Sequence, residues 1–155
     1  MISIKEKITW TLKELNPVLQ QLQDDYFLIG ACALILSDIQ IDQTSDIDLL
    51  TSSRDAATLK NKWVTHIQNY IPSDQHKFRS NFARFSFELL DVEVMGDLEV
   101  YSDNEWKRVM IKNSANYFNS DFEIRIPTLK EQVGILNLFG RPKDKEKIVK
   151  YKLNF

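Results

Sequence analysis

Two short stretches of the sequence decide the fold, LIGA at residues 28–31 and TSDIDLL at residues 44–50. The first is an apolar run ending at Gly30, a pattern typical of a buried strand that turns into a helix. In the second, Asp46 and Asp48 alternate with apolar residues, as side chains alternate between the two faces of a strand. This alternation predicts that both acids project from one face, roughly 6–7 Å apart along the strand, while their apolar neighbours enter the core.

Two carboxylates beside a buried strand repel each other and lose hydration, and a bound cation is one way to offset that cost. Mg²⁺ prefers oxygen ligands and keeps positions open for substrate phosphates. Gly30 precedes a predicted helix, whose free N–H groups can hold a phosphate that approaches closely where no side chain stands. Ala31, Thr44 and Ser45 adjoin these residues and are predicted to line the same nucleotide site.

A third carboxylate is expected from a neighbouring strand, about 4.8 Å away across the ladder. In the segment 90–95, Asp91 and Glu93 share one face, and valines occupy the other. A hairpin turn is predicted near residues 89–91, and Asp is a common turn residue because it bonds its own backbone. We therefore prefer Glu93 as the third metal ligand and keep Asp91 as the alternative.

Length and composition fit one domain over residues 1–155, since 43% of the residues are apolar. The net charge of −2 argues against an extended nucleic-acid surface. The sequence shows no run of membrane-spanning length and no signal peptide. Cys32 is the single cysteine, which favours a reduced, cytoplasmic compartment.

Hydrophobic periodicity and turn residues predict an α/β (α+β) protein with a mixed central sheet of about four to six strands flanked by helices. Helices are predicted at 4–22 within an N-terminal region 1–25 (broken or kinked at Pro17), at 31–37, at 53–70, at 128–140 with a capping box, and at 144–153 within a basic region 141–155. Strands are predicted at 26–29, around 46–50, as a hairpin over 84–95, and as an edge strand at 122–126, with a loop over 71–81. Gly30, Gly96 and Gly140 all fall at predicted element ends.

The order of these motifs resembles the nucleotidyltransferase superfamily related to DNA polymerase beta, in particular its small stand-alone bacterial members. The matching features are a strand ending in Gly30, the Asp46-x-Asp48 strand and a later acid, Glu93. A second match is the ending Ile126–Glu131 followed by Gly-Arg-Pro-Lys-Asp at 140–144. The resemblance covers most of the chain, from about residue 26 to residue 151.

The resemblance implies the nucleotidyltransferase fold and transfer of a nucleoside monophosphate from an NTP, ATP in the first instance, to an acceptor hydroxyl. Asp46, Asp48 and Glu93 would bind Mg²⁺ and act in catalysis. Arg141 and Lys143 would reach the nucleotide phosphates, or else lie on a solvated helix face. The expected partners are the nucleotide and a small-molecule or protein acceptor, with no membrane involved.

Two positions differ from the pattern of these relatives. Ala31 stands where they carry a second Gly or Ser, and Asp42 stands where many carry Arg. These differences favour an alternative: a protein of the same fold that binds a nucleotide or a partner without turnover, such as one half of a toxin–antitoxin pair. A metal-dependent phosphodiesterase that uses the same acids is a third hypothesis.

Overall fold

In the computed structural model, which describes residues 1–154, five helices surround a mixed sheet of seven strands. The helices are α1 (Ile4–Leu19), α2 (Gly30–Leu36), α3 (Ser53–Lys62), α4 (Leu129–Phe139) and α5 (Pro142–Lys150). The strands are β1 (Phe27–Ile29), β2 (Asp46–Thr51), β3 (Phe78–Ser86), β4 (Asp91–Ser102), β5 (Glu105–Arg108), β6 (Ser114–Phe118) and β7 (Glu123–Pro127).

The sheet has the strand order β3-β4-β2-β1-β7-β6, and β5 pairs with β4 off this path. The pairs β2/β4 and β1/β7 are parallel, and the other pairs are antiparallel. The expected mixed α+β architecture is thus confirmed, with β5 and β6 as strands that the sequence pattern did not predict. Both are exposed along most of their length, so they lack the apolar alternation that identifies a strand.

The two faces of β2 enter different surroundings. Ile47 and Leu49 are fully buried in the main core, against the inner sides of α1, α2 and α3. Leu50 belongs to a smaller apolar cluster, which includes Ile135 and Phe139 of α4. Asp46 and Asp48 alternate with the core residues and are only partly buried, as the period of the strand predicts.

Two predicted helix boundaries are wrong. The break at Pro17 does not occur, since α1 continues to Leu19, which is buried in the core. The helix predicted over 53–70 ends at Lys62, after which His66 lies in a turn. The backbone beyond it pairs with β3 instead: Ser86 N–H donates to the His66 carbonyl, and Gln68 N–H donates to the carbonyl of Arg84.

The hairpin is longer than predicted. β3 begins at Phe78, inside the segment predicted as a loop, because β4 continues to Ser102 and supplies it with partners. Asp91 is the first residue of β4 and pairs with Ser86, so the turn occupies residues 87–90. β7 was predicted as an edge strand, which is wrong because β6 covers it.

The end signals of α4 are partly confirmed. Thr128 Oγ1 accepts a hydrogen bond from Glu131 N–H, and Gly140 ends the helix in the left-handed conformation at φ 61°. The other half of the predicted capping box is wrong. The Glu131 carboxylate accepts from the backbone and side chain of Asn113, the residue before β6. The start of α4 therefore holds Asn113, the residue that leads into the edge strand β6, in place.

Gly96 lies inside β4, not at an element end as predicted, and α3 packs directly on it. A Cβ at this position would approach the Ala56 Cβ to 2.7 Å and both the Ser52 carbonyl oxygen and the Ser53 Cα to 2.9 Å. Two of these three contacts are backbone atoms, which cannot move aside without shifting the start of α3. The absence of a side chain at Gly96 therefore allows the start of α3 to pack closely against β4.

We predict that Gly96→Ala lowers the free energy of unfolding by about 1–3 kcal/mol, the usual cost of overpacking a core. Gly134→Ala is the matched control, because Gly134 is exposed in α4 and a Cβ there meets no atom within 4 Å. Alanine at that helical position is expected to stabilise by about 0.5–1 kcal/mol. Urea denaturation of the two variants measures both values. Equal stability of Gly96→Ala and the unmodified protein would contradict the packing described here.

Candidate active site

Three carboxylates meet where β2 and β4 run side by side. The parallel register sets Asp46 opposite Asp91 and Asp48 opposite Glu93. Asp46, Asp48 and Glu93 each offer an oxygen, and these oxygens all lie within 4.8 Å of one another. The structure therefore brings together the three acids that the sequence suggested as metal ligands, on the face of the sheet opposite the main core.

Gly30 lies directly against this cluster. Its φ of +74° is in the left-handed region, and a Cβ built on it would overlap the Asp48 Oδ2 atom. The missing side chain thus makes room for a carboxylate, a role that the sequence pattern did not indicate. Since Ile29 pairs with Asp48 across β1 and β2, the end of β1 holds Gly30 in this position.

The electrostatics of the cluster suit a cation. Burial, and then the charges of Asp46 and Glu93, raise the pKa of Asp48 well above its ordinary value. Burial and the Asp46 charge raise the pKa of Glu93, although the Arg84 guanidinium acts in the opposite direction. Carboxylates that are held close together despite their repulsion are a donor set that Mg²⁺ fits, because this ion is bound by oxygen ligands.

Arg84 contacts the two candidates for the third metal ligand, Asp91 and Glu93, in different ways. This residue of β3 pairs with Glu93, and its side chain is 13% exposed. Its Nε and Nη2 atoms both donate to Asp91 Oδ2, at 3.2 and 2.9 Å. Asp91 lies outside the group of three close carboxylates, although the same guanidinium also contacts Asp46 and Glu93 through Nη1, at 3.0 and 3.4 Å. The preference for Glu93 as the third ligand stays a prediction, and Arg84 is a residue of this region that the sequence pattern did not indicate.

The carboxylates lie in a cavity of about 530 Å³. Its lining includes six of the predicted nucleotide-site residues: Gly30, Ala31, Thr44, Ser45, Arg141 and Lys143. The volume is within the ordinary range for a small-molecule site. Apolar side chains from β3, β4 and α4 form another part of the wall: Phe78, Phe82, Met95, Leu98, Ile135 and Phe139. One cavity thus combines a charged end and an apolar wall.

Arg141 reaches the cavity but is held by its neighbours. Its Nε donates to Asp144 Oδ2 at 2.7 Å, and its Nη2 donates to Asp144 Oδ1 at 3.1 Å. The guanidinium also lies over the rings of Phe78 and Phe139, at 5.0 and 5.3 Å from their centroids. Because Asp144 is completely buried, this pair joins the start of α5 to the cavity wall.

Lys143 and Lys147 are the cations that α5 presents to the cavity. They are four residues apart, so they lie on one face of the helix. Neither forms an ion pair within residues 1–154, and both charges act to lower the pKa of Asp48. Lys143 was predicted to reach the phosphates, and Lys147 was not. The four-residue spacing between them is the sequence signal that could have identified Lys147.

Comparison with known proteins gives matches in structure but not in sequence. No protein-family model matches the chain, and no curated protein matches it. A "putative nucleotidyltransferase" from Thermotoga maritima superposes with a TM-score of 0.77 at 18% identity, over 98% of this chain and 95% of that one. The lincosamide antibiotic adenylyltransferase LnuA, solved with lincomycin, gives a TM-score of 0.60 at 11% identity, over 98% of each chain. An antigenic nucleotidyltransferase-like protein from Paracoccidioides brasiliensis gives 0.58 at 14% identity, over 98% of this chain and 75% of that one.

The chain therefore has the nucleotidyltransferase fold, as its motifs suggested. At these identities the similarity extends to the arrangement of helices and strands. Among the helices of residues 1–154, none combines the length and the apolar character that spanning a membrane requires.

The raised pKa of Asp48 gives a prediction about stability and pH in the absence of metal. A raised pKa means that the folded state binds the proton more tightly than the unfolded chain. The stability contributed by this group is then present below the unfolded pKa and is lost as the pH rises through the folded pKa. Asp48→Asn removes this loss, so its stability advantage over the metal-free unmodified protein should grow between acidic and neutral pH.

Thermal unfolding between pH 4 and pH 8 measures this difference. Mg²⁺ at about 100 times its dissociation constant should stabilise the unmodified protein by about 2.7 kcal/mol and leave Asp48→Asn unchanged. Asp42→Asn, an exposed acid on the loop before β2, is the control and should follow the unmodified protein in both respects. If Asp48→Asn and Asp42→Asn show the same pH dependence, repulsion within the cluster is not a significant factor.

Proposed function

We propose that the protein is an Mg²⁺-dependent nucleotidyltransferase, which transfers a nucleoside monophosphate from an NTP to an acceptor hydroxyl. One observation carries the proposal: three carboxylates and two lysines face one cavity of a nucleotidyltransferase fold, namely Asp46, Asp48, Glu93, Lys143 and Lys147. Carboxylates suit the metal, and ammonium groups suit the phosphates that the metal also binds. ATP is the proposed donor, a choice supported by the adenylyltransferase among the similar structures.

Asp46, Asp48 and Glu93 would hold the metal, which when bound supplies Lewis-acid stabilisation of charge on the reacting phosphate oxygens. Lys143 and Lys147 bind the β- and γ-phosphates, where negative charge builds up as the bond to the leaving group breaks. A bond forms between the acceptor oxygen and the α-phosphorus, and the bond from that phosphorus to the bridging oxygen breaks. Pyrophosphate leaves, and the acceptor proton passes to a base, a role proposed for Glu93 because its carboxylate lies in the cluster.

The acceptor is proposed to be a small molecule that carries a hydroxyl group and an apolar body. The support is the apolar wall of the cavity, which Phe82, Met95 and Leu98 extend away from the carboxylates. A protein hydroxyl on an extended segment would fit the same chemistry. The two acceptors differ in the label they produce, because transfer from radiolabelled ATP gives either a small product or a labelled polypeptide.

A nucleotide-binding protein without turnover is the second candidate. Ala31 favours it, because this residue lines the cavity without offering the hydroxyl that a serine would supply to a phosphate. Under this hypothesis, Mg·ATP binds with the same dependence on the carboxylates, but no pyrophosphate is released with any acceptor. Binding and pyrophosphate release therefore have to be measured on the same preparation.

The first test compares Glu93→Gln with Asp91→Asn, since each change preserves size and removes one charge. Glu93→Gln should lose Mg²⁺-dependent ATP binding in calorimetry and lower pyrophosphate release by about a hundredfold or more, because it removes both a ligand and the proposed base. Asp91→Asn should still bind Mg²⁺, since Asp91 lies outside the group of close carboxylates. The reverse outcome would assign the third ligand to Asp91. No Mg²⁺-dependent ATP binding by the unmodified protein would reject the proposed function.

The second test concerns the lysines of α5. Lys147→Gln should weaken Mg·ATP binding by about tenfold or more, because a charge-assisted contact to a phosphate is lost. Lys145→Gln changes the same helix by the same charge but lies outside the cavity lining, so its affinity should stay within about twofold. Isothermal calorimetry at two salt concentrations separates the local contact from long-range attraction. Equal weakening by both variants would mean that only the net charge of the helix matters.

A further inference from the structure

Arg84 is the cation that the fold itself supplies to the carboxylate cluster. β3 sets it opposite Glu93, which in turn lies opposite Asp48 on β2, so the three residues form one row across three strands. The Arg84 side chain is mostly buried, and its guanidinium bends from this row toward Asp46 and Asp91 in the next one.

One nitrogen of Arg84 occupies a bridging position between two of the proposed metal ligands. Nη1 lies 3.0 Å from Asp46 Oδ2 and 3.4 Å from Glu93 Oε2. In sites that use two divalent ions, the ions are about 3.5–4 Å apart and carboxylates are shared between them. A second ion held jointly by Asp46 and Glu93 would need oxygens that the guanidinium already contacts.

The rest of the guanidinium is fixed, so it cannot leave this position without cost. Nε and Nη2 both donate to Asp91, and the ring of Tyr70 lies 5.1 Å from the guanidinium carbon. Moving Arg84 away would leave the Asp91 carboxylate without its cation and would break the contacts with Asp46 and Glu93. Removing the partner of a partly buried carboxylate destabilises the folded state, because its charge is then left uncompensated.

Asp48 differs from the other acids, because it forms no hydrogen bond or ion pair with any side chain of residues 1–154. Gly30 packs against its Oδ2 atom, and Lys143 and Lys147 act on it from α5. The end of the cluster near Asp48 is therefore open to a metal and its nucleotide, while the end near Asp91 is occupied by a fixed positive charge.

We propose that Arg84 takes the place of the second divalent ion, so that the protein binds a single divalent ion together with its nucleotide. The proposal rests on the proposed function, and it adds a positioning role for a residue that does not contact the transferred phosphate. Asp48 and the oxygens of Asp46 and Glu93 that face it would hold the single ion. Arg84 would neutralise the remaining charge of Asp46 and Glu93.

The number of ions per chain tests the proposal without relying on activity. Mn²⁺ serves as the probe, since free and bound Mn²⁺ are distinguished by electron paramagnetic resonance, in the presence of a saturating non-hydrolysable ATP analogue. The unmodified protein should bind one Mn²⁺ per chain, and Arg84→Met, which preserves length and removes charge, should bind two. Arg84→Lys retains the positive charge and should remain at one. Arg84→Gln also removes the charge, should bind two Mn²⁺, and serves as the test if Arg84→Met does not fold.

Arg79→Met is the control, because Arg79 also lines the cavity on β3 but pairs with Glu99, outside the cluster. It should bind one Mn²⁺, as the unmodified protein does. Two Mn²⁺ per chain in the unmodified protein, or one in folded Arg84→Met, would overturn the proposal while leaving the proposed function intact. No Mn²⁺ in any variant would overturn both, so the two failures are distinguishable.

Metal-free thermal stability gives a second readout. Arg84→Met should unfold at a lower temperature than the unmodified protein without metal, because Asp46, Asp91 and Glu93 lose their shared cation. Its melting temperature should then rise more on addition of Mn²⁺ than that of the unmodified protein, since the added ions replace the lost charge. Equal rises for both proteins would contradict the exchange of arginine for metal.

Discussion

The parallel pairing of β2 with β4 forces like charges together, and much of the surrounding structure offsets that repulsion. This register aligns Asp46 with Asp91 and Asp48 with Glu93, so four carboxylates lie within two adjacent rows of the sheet. Shifting β4 by one residue would turn Glu93 toward the main core and replace it with a valine. The acids therefore cannot separate unless the sheet itself is rebuilt. Cations must be supplied by the fold, by α5 or by a bound ion.

The cations around the cluster come from two directions, β3 and α5, and differ in how firmly they are held. Arg84 approaches from β3 and is fixed by several contacts. Lys143 and Lys147 approach from α5, and their flexible side chains are not engaged by acids of the described chain. Arginine suits the fixed role because its planar guanidinium can contact several carboxylates at once, and lysine suits a ligand that comes and goes. The sheet thus carries a fixed positive charge beside the cluster, and the helix carries flexible ones.

The part of the site that follows from the sequence is the part encoded within single strands. Asp46 and Asp48 share a face because they are two residues apart, and so do Asp91 and Glu93. Arg84 was not predicted, because its position depends on which residue of β3 faces Glu93. That pairing is set by the hairpin, whose turn was predicted near residues 89–91 but occupies residues 87–90. The helix predicted over 53–70 failed for a similar reason, since backbone pairing with β3 beyond Trp63 outweighs the local helical periodicity. In both cases, contacts between distant segments decided the outcome.

Gly30 shows how the fold accommodates the cost of the cluster. Its left-handed conformation ends β1, and its lack of a side chain leaves room for the Asp48 carboxylate beside it. An alanine here would be strained by its backbone angle and would push Asp48 away from its position in the cluster. The same residue thus ends a strand, begins α2 and packs against the carboxylate cluster. The glycine of the LIGA stretch is therefore required to make room for the Asp48 carboxylate of the neighbouring strand β2. A role in binding phosphate would come in addition to this packing role.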